Sequence, residues 1–496
     1  MRMNWTLRGK DDFGRLIVTV GVITLVPLLV LPFYREELNL AWTFLLPGLG
    51  SIILGLLVCI FSKKKPHKLT WRENLQSSSI LVLFVWCFGF VISALPFFLS
   101  GQLPFLKALF ESISGWTTTG HSVIDVEQTA HIFLFHRAWI QFIGGMGFVM
   151  MMVMIVQSKQ AMSLFHAEGH TDNVAPNLRR TSRTIFIMFI GFVVGGTILY
   201  RIFGMPVFDG ICHSMSALAT AGFSTKAASI GYYNSVPVEI ITEVLMIIGI
   251  INFVVLLMLL KGKFKKAFKV TEVRFGLLLI GVLSPIVGFC LVGGLNMTLS
   301  EGMRVAFFNC ISAMSTTGYT TSDYSTWPDV SIAIMIILML IGGGVGSTAG
   351  GIKLIRVYVL LKSLWIDMKK KISSKRRVFV ASYKRAQGEV IITNDIGREA
   401  TNFVSVYLLI FVVGSMALCV TANCDLTTAM FDFASSLGGV GLSMGITGPH
   451  SADSTLIVEM IGMVLGRLEI FIVFIGIHSI YSRIKKRIAN LVKNVV

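Results

Sequence analysis

Four segments of this chain align on a single glycine, and no other feature restricts its fold as strongly. They are FESISGWTTTGHS (110–122), CHSMSALATAGFS (212–224), FNCISAMSTTGYT (308–320) and FDFASSLGGVGLS (431–443). With Gly120, Gly222, Gly318 and Gly441 in register, the residue six before is serine each time: Ser114, Ser216, Ser312 and Ser435. Two after the glycine a hydroxyl recurs, as Ser122, Ser224, Thr320 and Ser443. Two before it stand Thr118, Thr220 and Thr316, but Gly439 in the fourth copy. The glycines are 102, 96 and 123 residues apart, so one unit is repeated four times along the chain.

The sequence around these segments identifies the medium. Hydrophobic residues make up 54% of the 496 and charged residues 14%, more apolar surface than a water-soluble fold can hide. Apolar runs recur at 16–33, 41–61, 77–99, 138–156, 185–203, 238–260, 275–293, 331–341 continuing to 366, 402–422 and 456–481, ten candidate crossings. Each is long enough to traverse ~30 Å of hydrocarbon at ~1.5 Å per residue. The basic start MRMNWTLRGKDDFGR leads into a long apolar run with no small-residue cleavage site, so that run is expected to stay as a helix. The stretches 104–116, 208–219, 301–315 and 425–437 are too short to span, and each runs into a glycine segment. Non-helical backbone is tolerated at membrane depth only where it is buried in protein or lines water.

The expected fold is therefore an all-α integral membrane protein: four fused helix–pore loop–helix repeats around one pseudo-fourfold pore, preceded by an extra transmembrane pair. The boundaries read as 1–70 for that pair, 71–160, 161–265 and 266–366 for repeats one to three, 367–397 for a basic linker and 398–496 for repeat four.

The formal charge of +17 is topological. Of 43 Lys and Arg, 36 fall in segments 1–15, 62–74, 157–183, 261–274, 353–398 and 483–493, which alternate with the crossings as the positive-inside rule requires. Both termini are then cytoplasmic, and nucleic-acid binding is excluded as the reason for the charge. Arg35, Lys107, Arg137, Arg201, Lys226 and Arg304 fall in the opposite loops. The seven cysteines show no CxxC spacing and read as small core residues, with Cys419 and Cys424 unpaired.

Four re-entrant loops in one chain can surround one axis. A ring of backbone carbonyls replaces the hydration shell of a cation, and glycine lets the chain turn its carbonyls inward. Each short helix aims its partially negative C-terminus at the same place. The filter residues are then Thr118, Thr119 and Gly120; Thr220, Ala221 and Gly222; Thr316, Thr317 and Gly318; and Gly439, Val440 and Gly441. Glu111, Asp209, Glu301, Asp425 and Asp432 lie at the outer approaches, either concentrating cations in a mouth or serving as ordinary helix-start carboxylates.

A continuous helix over 331–366 would be about 54 Å long, nearly twice the hydrocarbon thickness. GGGVGSTAGG interrupts it, and at about 1 kcal/mol per glycine this stretch favours a loop. Its place on the inner half of a pore-lining helix makes Gly342, Gly343, Gly344, Gly346, Ser347, Thr348, Gly350 and Gly351 candidate gate residues. The match to a dinucleotide fingerprint at Gly344, Gly346 and Ala349 lacks a βαβ context. Arg467, near the middle of the last crossing, costs at least ~2.5–3.5 kcal/mol in hydrocarbon unless it faces the pathway or a partner. It reads either as a positive barrier to cations or as half of an ion pair with Glu459 or Glu469. HAEGH (166–170) has the spacing for a metal but sits in a basic loop, where a solvated segment accounts for it.

TTTG, TAGFST, STTGYT and GGVGLSMG, with QFIGGMGF (141–148), GGGVGSTAGGIK (342–353) and LGRLEI (465–470), resemble the TrkH/KtrB/HKT superfamily of potassium transporters over nearly the whole chain. The extra pair at 16–33 and 41–61 is similar to the TrkH branch. The resemblance implies K⁺ as the transported ion, uptake across a bacterial cytoplasmic (inner) membrane, a homodimer in membrane lipid with one pore per protomer, and no covalently bound cofactor. It also implies a cytosolic TrkA-like, RCK-type regulatory ring, with ATP/ADP or NAD bound only on that partner. It favours a gate at the glycine loop and a barrier role for Arg467. Gly439 departs from the threonine of the other copies. The rival reading is a symporter coupling H⁺ or Na⁺ to K⁺, which needs a titratable midplane group. An enzyme is not indicated, because HExxH is absent and the single GxSxG match, GLSMG (441–445), belongs to the fourth glycine segment and has no strand-to-helix context.

Overall fold

The computed structural model describes residues 10–61, 71–147, 178–374, 379–468 and 470–493. HAEGH and Glu469 lie outside the described residues. Long apolar helices open the four units: Trp71–Leu99, Leu178–Ile202, Thr271–Leu295 and Asn394–Ala422. Each leads into a short helix, Phe105–Trp116, Val207–Leu218, Leu299–Ser315 and Leu426–Gly438. The residues that start the short helices explain why the chain turns there. Pro104 and Pro206 precede the first two, while Thr298 and Asp425 cap the others by accepting from the amides of Glu301 and Thr428.

A glycine segment and a second long helix complete each unit, and that second helix is interrupted more widely than the sequence suggests. In unit two Val236–Ile250 and Phe253–Leu260 meet at 118°. In unit three Asp329–Ile341 and Leu354–Ile372 flank the glycine-rich loop, and in unit four Asp453–Arg467 and Ile470–Lys493 are separated at Leu468. In unit one His131–Gly145 ends at the GGMG sequence. Among the described residues, six helices are long and apolar enough to cross alone, or seven spans if the bent pair counts as one. The runs 331–366 and 456–481 are divided, and 138–156 lies partly outside the described residues.

The preceding pair, Lys10–Leu25 and Ala41–Ile60, crosses at a glycine seam: a Cβ at Gly14 would meet the Gly55 carbonyl at 2.6 Å, and one at Gly21 the Gly48 carbonyl at 2.6 Å. Such small-residue contacts let helix backbones approach in lipid. The pair docks on unit one, where the Glu37 carboxylate accepts from the amides of His131 (2.8 Å) and Ile132 (2.9 Å) and caps the helix that begins there. Two hydrophobic clusters hold the bundle, one under the extra pair and units one and two, the other under units three and four.

The basic segment is more structured than a linker. Ser382–Arg385 and Gly388–Ile391 form an antiparallel hairpin, the one strand pair among the described residues of an otherwise helical chain. Buried Tyr383 joins Ile355, Val359 and Ala400 in a small cluster that reaches Val345. Of the basic residues expected on the outer side, Arg137 is buried and pairs with Glu111 (2.6 Å), and Arg304, about a third exposed, pairs with Glu239 (2.7 Å). Cys419 and Cys424 are free.

Candidate functional site

The four glycine segments meet in a closed cycle. A Cβ on Gly120 would overlap the carbonyl oxygen of Ala221, one on Gly222 that of Thr317, one on Gly318 that of Val440, and one on Gly441 that of Thr119. Each glycine therefore packs against the residue preceding the glycine of the next unit, and the fourth returns to the first. Substitution is barred by conformation as well as by space, since φ is +94°, +76°, +83° and +92° at the four positions. Each glycine is partly exposed between buried neighbours.

The residues two before the glycines share one backbone shape. Thr118, Thr220 and Thr316 have φ of +57°, +51° and +56°, and Gly439 has +68°. For threonine this left-handed conformation costs about 1–2 kcal/mol, strain of the kind held at functional sites. Gly439 adopts the same shape without that cost, so its departure from the pattern changes side-chain chemistry and leaves the backbone geometry intact.

Two further repeat positions hold the loops. The amide before each glycine donates to the carbonyl of the recurring serine: Thr119 to Ser114 (2.9 Å), Ala221 to Ser216 (3.0 Å), Thr317 to Ser312 (3.0 Å) and Val440 to Ser435 (2.8 Å). The Ser114 and Ser312 hydroxyls donate to the carbonyls of His121 and Tyr319, both at 2.6 Å. In unit two Ser216 donates to Gln141 Oε1 (2.7 Å), and Gln141 Nε2 donates to the Ala221 carbonyl (2.5 Å). One carbonyl of the cycle is thus tied to a side chain.

The second position, nine before the glycine, escaped the sequence reading because its residue type changes every time. Glu111 accepts from the Ser122 hydroxyl (3.0 Å) and the Val123 amide (3.0 Å). Asp432 accepts from the Ser443 hydroxyl (2.6 Å) and the Met444 amide (2.7 Å). His213 Nε2 lies 3.0 Å from the Ser224 hydroxyl, and Asn309 Nδ2 donates to Thr321 at 3.0 Å. Glutamate, histidine, asparagine and aspartate thus do one job, holding the chain where it leaves the cycle.

That finding alters the expected mouth carboxylates. Glu111, Asp209 and Asp432 are buried, with Glu111 paired to Arg137 and Asp209 accepting from Tyr233 (2.9 Å). Only Glu301 and Asp425 of the five are exposed. Asp425 caps its helix, and the hydroxyl and amide of Thr428 hold its carboxyl below the usual carboxylate range.

The interrupted third inner helix lies directly beneath the cycle. The Thr348 hydroxyl lies within hydrogen-bond distance of the carbonyls of Leu218 (3.0 Å) and Gly249 (2.9 Å), between which its one proton is shared, and of the Thr220 hydroxyl (3.2 Å). The Gly350 amide donates to the Thr316 hydroxyl (2.7 Å), and a Cβ at Gly350 would overlap the Gly438 carbonyl. The loop therefore touches units two, three and four. Its own ends meet, because a Cβ on Gly351 would come within 2.7 Å of the Gly342 Cα. Gly343 donates to Gly350, Gly344 to Ile250, and the Ser347 hydroxyl to Gly344 (2.7 Å). Gly346 accepts from the Phe253 amide at 3.0 Å.

Arg467 connects this loop to unit one. Its guanidinium donates to the carbonyls of Thr348 (2.9 Å), Gly144 and Gly145 (3.3 Å). Glu459, one of its two expected ion-pair partners, instead accepts from the Thr447 hydroxyl (2.7 Å). A cavity of about 60 Å³ lined by Gly145, Gly147, Ser347, Gly350, Gly466 and Arg467, among others, opens beside the loop. The arrangement can hold a desolvated cation above and obstruct its exit below.

The chain matches the TrkH family, described as cation transport protein, over residues 52–480. The Trk system potassium uptake protein TrkG of Escherichia coli K12 is 30% identical over 490 residues, 95% of this chain and 97% of TrkG. TrkH of the same organism, also a Trk system potassium uptake protein, is 28% identical over 478 residues, 92% of this chain and 95% of TrkH. The crystal structure of the potassium transporter TrkH from Vibrio parahaemolyticus superposes with a TM-score of 0.82 at 25% identity, covering 94% of this chain and 98% of that one. The chain belongs to the TrkH family of cation transport proteins and is a multi-pass membrane transporter, not an enzyme.

Proposed function

We propose that the protein takes up K⁺ across the cytoplasmic membrane through a selectivity filter formed by Thr118–Gly120, Thr220–Gly222, Thr316–Gly318 and Gly439–Gly441. The observation that carries this reading is the cyclic packing of four glycines on four carbonyls. Cation selectivity needs backbone oxygens arranged around one axis, and that packing needs glycine. The potassium named in the relatives supports the choice of ion.

Gate function falls to the loop 342–351, with Arg467 holding it under the filter, and regulation to a cytosolic nucleotide-binding subunit reached through the basic segment after it. The units follow the boundaries 71–160, 161–265, 266–366 and 398–496, with both termini cytoplasmic, and the protein works as a homodimer. Flux into liposomes of purified protein, with K⁺, Na⁺ and pH gradients imposed one at a time, tests the reading. K⁺-driven flux that needs no second gradient is expected. Flux that stops without a Na⁺ or proton gradient would replace the channel-like mechanism with a symporter.

A further inference from the structure

The four residues nine before the filter glycines share a task but differ in charge. Behind the first loop the Glu111 carboxylate is neutralised by Arg137 at 2.6 Å. Behind the second, His213 Nδ1 lies 2.7 Å from the Asp209 carbonyl, which can only accept, so Nδ1 carries a hydrogen and Nε2 faces Ser224. Behind the third, Asn309 is an uncharged amide, satisfied by Val305, Thr321 and Tyr324. Behind the fourth, Asp432 is 0% exposed, and among the described residues no basic side chain forms an ion pair with it. Its two oxygens accept from Ser443 and Met444, bonds that hold a carboxylate without neutralising it.

A second buried carboxylate stands behind the same stretch of chain. Glu459 is 0% exposed; its Oε1 accepts from Thr447, and its Oε2 has no hydrogen-bond partner among the described residues. Thr447 is joined to Ser443 through its amide (3.4 Å), so both carboxylates brace residues 443–447, just outside Gly441. A buried carboxylate stays charged only where an opposite charge compensates it; otherwise it takes up a proton. Ser443, two residues beyond the filter glycine, is partly exposed, and its hydroxyl donates to the buried Asp432 carboxylate at 2.6 Å.

We propose that Asp432 is the fixed counter-charge of the cation at the outer end of the filter, and that it sets cation affinity from behind the fourth loop. This rests on the filter reading above. Asp432 touches no cation and acts through Ser443, so it is a positioning residue with an electrostatic component. The asymmetry also locates the negative field on the side where Gly439 replaces threonine.

The test measures K⁺ flux against K⁺ concentration in proteoliposomes for wild type, Asp432→Asn, Asp432→Glu, Asn309→Asp and Gly441→Ser. Asp432→Asn keeps shape and one acceptor but removes the charge. It is expected to raise half-saturating K⁺ roughly three- to tenfold with maximal flux retained, while Asp432→Glu restores the wild-type value. Asn309→Asp places a carboxylate behind the third loop and is expected to lower half-saturating K⁺, which decides the matter even where Asp432→Asn does not fold. If half-saturation is unmoved in both charge variants while Gly441→Ser alters selectivity, the counter-charge is refuted and the filter stands. If Gly441→Ser also leaves selectivity unchanged, the filter reading falls with it.

Discussion

Arg467 donates to the carbonyl oxygen of Thr348 at 2.9 Å and, through its other terminal nitrogen, to those of Gly144 and Gly145. One guanidinium thus ties the interrupted helix of unit three to the end of the inner helix of unit one. On the function proposed above, a cation leaving the filter would meet both the positive charge and the loop that the charge holds.

Arg467→Ala removes the barrier and the tie together, leaving carbonyls beside a cavity of about 60 Å³ that has room for water. Basal K⁺ flux is expected to rise severalfold while the order of ion preference stays unchanged, because the glycine cycle is untouched. Flux assays of wild type and variant at matched protein content check this. Correctly folded variant with unchanged flux would reduce Arg467 to a structural tie.

Gly120→Ser introduces a side chain where φ is +94° and where a Cβ overlaps the Ala221 carbonyl. The strain costs about 1–2 kcal/mol and displaces the joint between units one and two. K⁺ preference over Na⁺ is expected to fall roughly tenfold, read as a shift of reversal potential in mixed gradients. An unshifted potential in folded protein would disprove the filter assignment.

Gly439→Thr should be tolerated. The three equivalent threonines hold φ between +51° and +57°, and the nearest atom to a Cβ at Gly439 is the Thr117 carbonyl oxygen at 3.6 Å. Restoring threonine restricts the backbone on the one side where glycine leaves it free. Folding with a loss of about 1–2 kcal/mol in stability and a higher K⁺ over Na⁺ permeability ratio are expected; a lower ratio would mean that the open side itself serves selectivity.

Deletion of residues 343–350 joins Gly342 to Gly351, which already touch, so the flanking helices need not move far. Basal flux should rise and lose its response to the cytosolic subunit and its nucleotide, with ion preference kept. A nucleotide titration of flux with and without that subunit decides, and wild-type regulation in the deletion would remove the loop from the gate.

The glycine repeat, the short helices and the break at 342–351 were legible because each leaves a compositional trace: a recurring residue, a run too short to span, six glycines in ten positions. The bend at Ile251–Asn252 was not, because apolar residues continue on both sides. Asn252, which caps the following helix through Val254 and donates to the Val345 carbonyl, is its one polar sign. Leu468 leaves no trace either, since leucine favours a helix. The position of Glu111, His213, Asn309 and Asp432 was hidden for another reason: what recurs there is a hydrogen-bonding task that four different side chains perform.

The joint between Gly441 and Thr119 brings together residues more than three hundred positions apart, and it is the last of the four to become available during synthesis. Until the final unit leaves the ribosome and inserts, the first three present an open-sided wall whose loop backbone faces neither protein nor its proper partner. Exposed polar backbone of that kind is unstable in lipid. A chain that stops before residue 440 lacks both joints that the fourth unit makes, with Gly318 and with Thr119, and so cannot close the cycle.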